Sequence, residues 1–208
     1  MTKVTSRIFR ASGFVIPSTF GIRASTFSAR CAFTVLELLV VISIVIALAG
    51  LILATTGYVQ KKGARSRAEA EIAAMSAALE SYKADNGNYP SDASTIALTP
   101  TNTDPATYQA ASSSLYKLIS GDADGDRTVE QKSYLAFKSN MLLPAPPSTA
   151  AVVAIRDPFG NSYGYSTAKN PEANPNAATA TGYNPTYDLW STGGGTRATD
   201  LPQWIKNW

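Results

Sequence analysis

The chain contains no histidine and a single cysteine, Cys31. Without histidine there is no imidazole general base, no histidine-centred triad and no histidine metal site. One thiol cannot close a disulfide within the chain. Nor does Cys31 suit lipid attachment, because the apolar stretch follows it and Arg30 stands where a small residue is needed. Charge is scarce too: Asp, Glu, Lys and Arg make up 16% of the 208 residues, against about a quarter in ordinary domains. The net charge of +3 arises in the first 32 residues, where Lys3, Arg7, Arg10, Arg23 and Arg30 meet no acid. Removing those five from the 18 basic residues leaves 13 against 15 acidic ones. A mildly acidic remainder carries no electrostatic footprint for nucleic acid.

What is present is a long apolar run, Phe33 to Thr56. About 20 helical residues span the roughly 30 Å hydrocarbon core of a bilayer, so the run is expected to cross a membrane. The basic stretch before it predicts that residues 1–32 stay cytoplasmic and that residues after about 57 are exported. Lys61, Lys62, Arg65 and Arg67 on the far side work against that count. Within the run stands one acid, Glu37. An ionisable group in a spanning helix costs on the order of a few kcal/mol. Either Glu37 snorkels to water at the membrane edge, or it has a cationic partner. A new N-terminus at Phe33, one helical turn away on a neighbouring subunit, would be such a partner, and the four-residue spacing favours this second reading. A conventional signal peptide is cut after its apolar run at small residues, which Ala54-Thr55-Thr56-Gly57 fits poorly. Cleavage before the run would keep the helix in the mature chain.

Ala32-Phe33-Thr34-Val35-Leu36-Glu37-Leu38-Leu39 resembles the processing motif of type IV pilins and type II secretion pseudopilins. The resemblance implies that a prepilin peptidase cuts between Ala32 and Phe33 and methylates the Phe33 amine, and that Glu37 registers subunits during assembly. The residue before the cut is usually Gly; here Ala32 keeps a small side chain. The expected organisation is a removed leader, 1–32, a transmembrane and polymerisation helix, 33–57, and a periplasmic globular domain, 58–208.

Beyond the apolar run, Ala64, Ala68, Ile72, Met75, Leu79 and Tyr82 recur at steps of four and three. That period puts them on one helix face, as core. Arg65 with Glu69 and Arg67 with Glu71 form i,i+4 pairs elsewhere on the surface. The helix is predicted to run from Phe33 to Asp85 and to stop at Asn86-Gly87. Residues 91–114 read as loop, Tyr108 to Ser120 as a short helix with Leu115, Leu118 and Ile119 inward, and Tyr134 to Leu143 as a short apolar segment. Val152 to Ile155, Tyr163-Gly164-Tyr165 and Tyr187 to Ser191 read as strands, and residues 168–186 as loop. The fold class is α+β: a long N-terminal helix, half transmembrane and half amphipathic spine, packed on a small antiparallel sheet, as in pilins.

Ala78 to Pro90, Asp157-Pro158-Phe159-Gly160-Asn161-Ser162-Tyr163-Gly164-Tyr165, Asp188-Leu189-Trp190-Ser191 and the closing Asn207-Trp208 resemble, in order, segments of the major pseudopilin of the type II secretion system. The stretch 91–156 departs from that family as a variable insertion. The resemblance implies a homopolymeric periplasmic filament, with an assembly ATPase, an inner-membrane platform protein and minor pseudopilins as partners. It also implies calcium in the loop after Asp188–Ser191, where the Thr192 carbonyl and the Asp200 carboxylate match ligand positions and Gly195 replaces an aspartate. A second candidate for Ca2+ is Asp122-Ala123-Asp124-Gly125-Asp126 with Glu130, since alternating acids suit a hard cation. EF-hand spacing would want Gly and Glu where Arg127 and Ser133 stand.

Two other readings compete. A surface type IV pilin would polymerise in the same way, but most pin their C-terminal loop with a disulfide. A membrane-anchored carbohydrate-binding protein or hydrolase would line a groove with Tyr163, Tyr165, Tyr183, Tyr187 and Trp190 and use Asp157 and Asp188 as its acid pair. Gly193-Gly194-Gly195 lacks the Lys-Ser/Thr of a phosphate-binding loop.

Overall fold

The computed structural model describes residues 34–208, so Cys31, Ala32 and Phe33 lie outside the described residues. The chain divides into two compact units, residues 1–49 and 50–208. Helix α1 runs Val35–Asn86, within a residue or two of the predicted bounds. Gly87, at φ +81, ends it with its N–H bonded to the Lys83 carbonyl. That left-handed conformation is open to glycine without the Cβ penalty other residues incur.

In the first unit, the described residues 34–49 are helical from Val35 and their side chains are exposed. Ser43 returns its hydroxyl to the Val40 carbonyl at 2.7 Å. Further along, Thr56 donates to the Ile52 carbonyl at 2.8 Å. The polar side chains of the apolar run thus satisfy themselves on their own helix, as a lipid environment requires.

In the second unit, α1 buries Ala68, Ile72, Met75, Ala78 and Leu79. Ala64 and Tyr82 sit at the margin of that stripe, only partly covered. Arg65–Glu69 at 3.2 Å and Arg67–Glu71 at 2.9 Å form as the spacing predicts. Glu71 also accepts from the Tyr163 hydroxyl at 2.7 Å, which pins the spine helix to the sheet region.

The stretch 91–114 is more regular than expected. Asp92 caps a short helix, α2, Ala93–Ala97, accepting from the Ser94 and Thr95 N–H groups, while Thr95 Oγ1 accepts from Asp92 N. A 3-10 turn, Pro105–Tyr108, follows under an Asp104 cap. The predicted short helix is α3, Gln109–Ser120. It buries Leu115 and Ile119 as expected, but Tyr116 takes the inward place assigned to Leu118. Its Ser112 hydroxyl accepts from Ile155 N at 2.9 Å.

Five short strands follow. β1, Leu142–Leu143, pairs antiparallel with β2, Ala154–Ile155. β3, Gly164–Ser166, β4, Asp188–Ser191, and β5, Ile205–Lys206, form a three-stranded antiparallel sheet in that spatial order. β5 lies in the Trp-rich tail, where no strand was expected. Each predicted strand is present: β2 and β4 begin later than predicted, and β3 is shifted by one residue, from Tyr163–Tyr165 to Gly164–Ser166. In the 168–186 loop, the buried Asn174 side chain donates to the Ala168 carbonyl at 2.6 Å, so a segment of low complexity is held by side-chain amides.

The core joins Ile72, Met75 and Leu79 of α1 to Leu115 and Ile119 of α3 and to Tyr163, Tyr165 and Leu189 around the sheet. A second cluster centres on Trp190 with Leu98, Tyr108, Ala111 and Trp204. Gly164 faces Trp190 across the β3–β4 ladder. A Cβ at Gly164 would lie 2.1 Å from the Trp190 ring. The glycine is therefore the slot into which the indole packs.

Candidate functional sites

At the N-terminal end of α1 the Thr34 N–H donates to Glu37 Oε2 at 2.9 Å, and the Thr34 hydroxyl donates to the same oxygen at 3.0 Å. Glu37 N returns a bond to Thr34 Oγ1 at 3.2 Å. This is a capping box, which satisfies helix N–H groups that have no partner inside the helix. Glu37 therefore has a local partner that the sequence reading missed, and the Thr-x-x-Glu spacing was its signal. Ala32 and Phe33, the residues of the expected cut, lie outside the described residues.

The acidic turn after α3 gathers Asp122, Asp124, Asp126 and Glu130, with one carboxylate oxygen of each within 4.8 Å of the others. Asp122 is fully buried. Its Oδ1 accepts from Gly125 N at 2.6 Å, and its Oδ2 accepts from Arg127 N at 2.8 Å and the Tyr116 hydroxyl at 2.7 Å. Burial acts most strongly on its pKa and pushes it up. The bonds from Tyr116 and the two N–H groups together outweigh burial and hold the carboxyl below its usual range. Asp126 accepts from Thr128 N at 2.7 Å, and Glu130 Oε2 from Ala123 N at 2.9 Å. Among the described residues, no ion pair reaches any of the four acids. All-carboxylate donors of this kind suit a hard cation such as Ca2+, and Asp122 Oδ1 keeps a free lone pair.

The loop after β4 differs. The Thr192 carbonyl accepts from Gly195 N at 3.0 Å. Asp200 Oδ2 accepts from Arg197 N at 3.1 Å. The Gly195 carbonyl accepts from the Trp204 indole N–H at 3.2 Å. Thr192 and Asp200 thus both adjoin Gly195, and each accepts one hydrogen bond there. A Cβ at Gly195 would lie 2.6 Å from the Asp200 Cβ, so there is no room for the aspartate that Gly195 replaces. The loop thus offers a single carboxylate, Asp200, beside the Thr192 carbonyl, and is closed by protein hydrogen bonds.

The hydrolase reading meets two corrections. Tyr163, Tyr165, Tyr187 and Trp190 are buried in the two core clusters and line no groove, and only Tyr183 of that set is exposed. Asp157 and Asp188, the supposed acid pair, each organise backbone. Asp157 accepts from Phe159 N, Asn161 N and, at 2.6 Å, the Ser191 hydroxyl. Asp188 accepts from Tyr183 N and Asn184 N, both at 2.9 Å. Burial raises both pKa values despite these bonds.

A long helix with an apolar exposed half and a buried spine half, joined to small antiparallel sheets, defines an α+β pilin fold. Residues 57–123 match the family model described as type II secretion system (T2SS), protein G. The match covers less than half of the chain, lies wholly beyond the leader motif, includes Ala78 to Pro90, and supports the resemblance to the major pseudopilin. It runs through α2 and α3 into the acidic turn. No curated protein and no solved structure gives a match.

Proposed function

We propose that this chain is the structural subunit that polymerises into the periplasmic pseudopilus of a type II secretion system. One observation carries the reading. The helix that leads into the T2SS protein G stretch also presents a run of exposed apolar side chains, from Val35 through Leu53 to Val59, in which the one acid is Glu37. In a filament, such helices bundle and cover that surface. Transfer of apolar surface out of water is worth roughly 25 cal/mol per Å², which sets the scale of what free apolar helices would otherwise cost.

In this reading the prepilin peptidase cuts between Ala32 and Phe33 and the new Phe33 amine is methylated. Residues 33–57 remain as the anchor, with the leader cytoplasmic and residues 58–208 periplasmic. Glu37 exchanges its Thr34 bonds for the cationic N-terminus of a neighbouring subunit. An assembly ATPase, a platform protein and minor pseudopilins complete the machinery. A cation, where one is taken up, belongs to Asp122, Asp124, Asp126 and Glu130 and not to Thr192 and Asp200; those acids would supply hard oxygen ligands and relieve their own mutual repulsion.

The test is mass spectrometry of the mature chain together with filament assembly by Glu37→Leu. A mature N-terminus at methylated Phe33, and loss of filaments in Glu37→Leu with the globular part still folded, are the expected results. An intact Met1, or normal filaments from the variant, overturns the reading.

A further inference from the structure

Four bases, Lys61, Lys62, Arg65 and Arg67, follow the apolar run within about three helical turns. Export of that side is disfavoured by just such residues, so the proposed function leaves them unexplained. Tyr58, Lys61, Lys62 and Arg65 line one side of an open groove of about 620 Å³, and Gly194 and Asp200 lie on the other. Arg65 is anchored, its guanidinium donating to the Gln203 carbonyl at 2.7 Å and pairing with Glu69 at 3.2 Å. Lys61 and Lys62 are exposed and have no ion-pair or hydrogen-bond partner among the described residues. The one acid of the groove, Asp200, is occupied in capping Arg197 N.

We propose that this groove binds the phosphate headgroup of an anionic phospholipid in the leaflet facing the exported domain. The inference rests on the reading of residues 33–57 as membrane-spanning. Distance supports it: Lys61 lies five residues past Thr56, about 8 Å along the helix. A bilayer's polar layer is roughly 5–8 Å deep on each side. Cα–Cβ bonds of a helix tilt toward its N-terminus, so the Lys61 and Lys62 side chains lean back into that layer, with their stems on apolar surface and their ammonium groups at phosphate depth. Tyr58, 72% exposed at the end of the apolar run, has the amphipathic ring that settles at such an interface. Phosphate oxygens would supply the two lysines with the partners the protein does not. The contact would fix the depth of the subunit before assembly and be given up on extraction.

The test uses the full chain reconstituted in vesicles of phosphatidylcholine alone or of phosphatidylcholine containing phosphatidylglycerol. Lysines are labelled with a membrane-impermeant acylating reagent and read by peptide mass spectrometry. Flotation comes first: a chain that floats with neither vesicle removes the spanning reading and this proposal with it. Given flotation, acylation of Lys61 and Lys62 is expected to slow about fivefold with phosphatidylglycerol. Exposed Lys138 should be unaffected, and salt should restore the rate. Equal labelling in both vesicles overturns the proposal. So does equal protection by inorganic phosphate in neutral vesicles, which would make the ligand a free anion. Protection that grows with protein density in neutral vesicles would give the surface to a second copy and likewise overturn it.

Discussion

Along α1 two stretches share one backbone conformation and opposite surroundings. From Val35 to Val59 the large apolar side chains are exposed all round, with no polar stripe. From Ala68 to Leu79 the large apolar residues Ile72, Met75 and Leu79 keep to one buried face with Ala68 and Ala78, while Glu69, Glu71, Ser76 and four small alanines occupy the rest. Periodicity therefore separates a helix that must find an apolar solvent or sister helices from one that already has its partner in the same chain. The apolar surface of the first stretch is uncovered in the single subunit; that of the second was buried on folding.

The sharpest way to break that comparison is to truncate one residue in each stretch. Leu79→Ala should destabilise the subunit by about 2–5 kcal/mol, and Leu48→Ala by less than about 0.5 kcal/mol, in denaturant melts of the unassembled chain. Filament yield should reverse the ranking when a charge is introduced, since Leu48→Lys leaves the fold intact and blocks bundling. Equal destabilisation by the two alanines would mean that the apolar stretch is already packed within the subunit. Gly164→Ala tests the sheet side of the core: its Cβ has no space beside Trp190, so a loss of about 1–3 kcal/mol or more is expected from overpacking.

The buried tyrosines set the alkaline limit. Burial, chiefly, raises the pKa values of Tyr89 and Tyr108 to about 12, and raises those of Tyr116, Tyr163 and Tyr165 as well. Unfolded tyrosine ionises near about 10. The folded state thus holds these protons more tightly, and the stability they contribute is complete below about pH 10 and lost as pH rises toward the folded values. The share of tyrosinate absorbance that belongs to these five buried rings should rise cooperatively with loss of helical circular dichroism, not ahead of it.

Two carboxyls act in opposite senses in acid. Asp122, held low, contributes stability above the ordinary carboxylate pKa of about 3.9 that is lost as pH falls through its folded value. Asp188, held high by burial, has the reverse slope, and stability falls as pH rises from about 3.9 through its folded value. Melting temperatures across that range should become less acid-sensitive in Asp122→Asn and lose the opposing slope in Asp188→Asn. The smallest expected effect is a rise of a few degrees in melting temperature with millimolar calcium, abolished in Asp124→Asn/Asp126→Asn and retained in Asp200→Asn. Retention in the first variant and loss in the second would return the cation to the loop after β4.

Much of this was legible in residue order. The bounds of α1 followed from an unbroken apolar run, a four-and-three stripe and Asn86-Gly87. The positions of β2, β3 and β4 followed from Val152–Ile155, Tyr163–Tyr165 and Tyr187–Ser191. Three things were not. α2 depends on a cap at Asp92 inside a Ser- and Thr-rich stretch whose composition reads as loop. β5 exists because Trp190 and Ser191 offer pairing to Lys206 and Ile205, a partnership no local pattern announces. The inward turn of Tyr116 in place of Leu118 goes with a contact no local pattern shows, its hydroxyl donating to the buried Asp122 six residues on.

The sequence by itself determined that one helix would serve two solvents, because periodicity and the location of charge are properties of order along the chain. Only the tertiary structure decided the fate of the acids and aromatics. Asp157, Asp188 and Trp190 could have faced a groove. What they do depends on burial and on which N–H groups and side chains arrive beside them, and those are brought together by packing between distant segments.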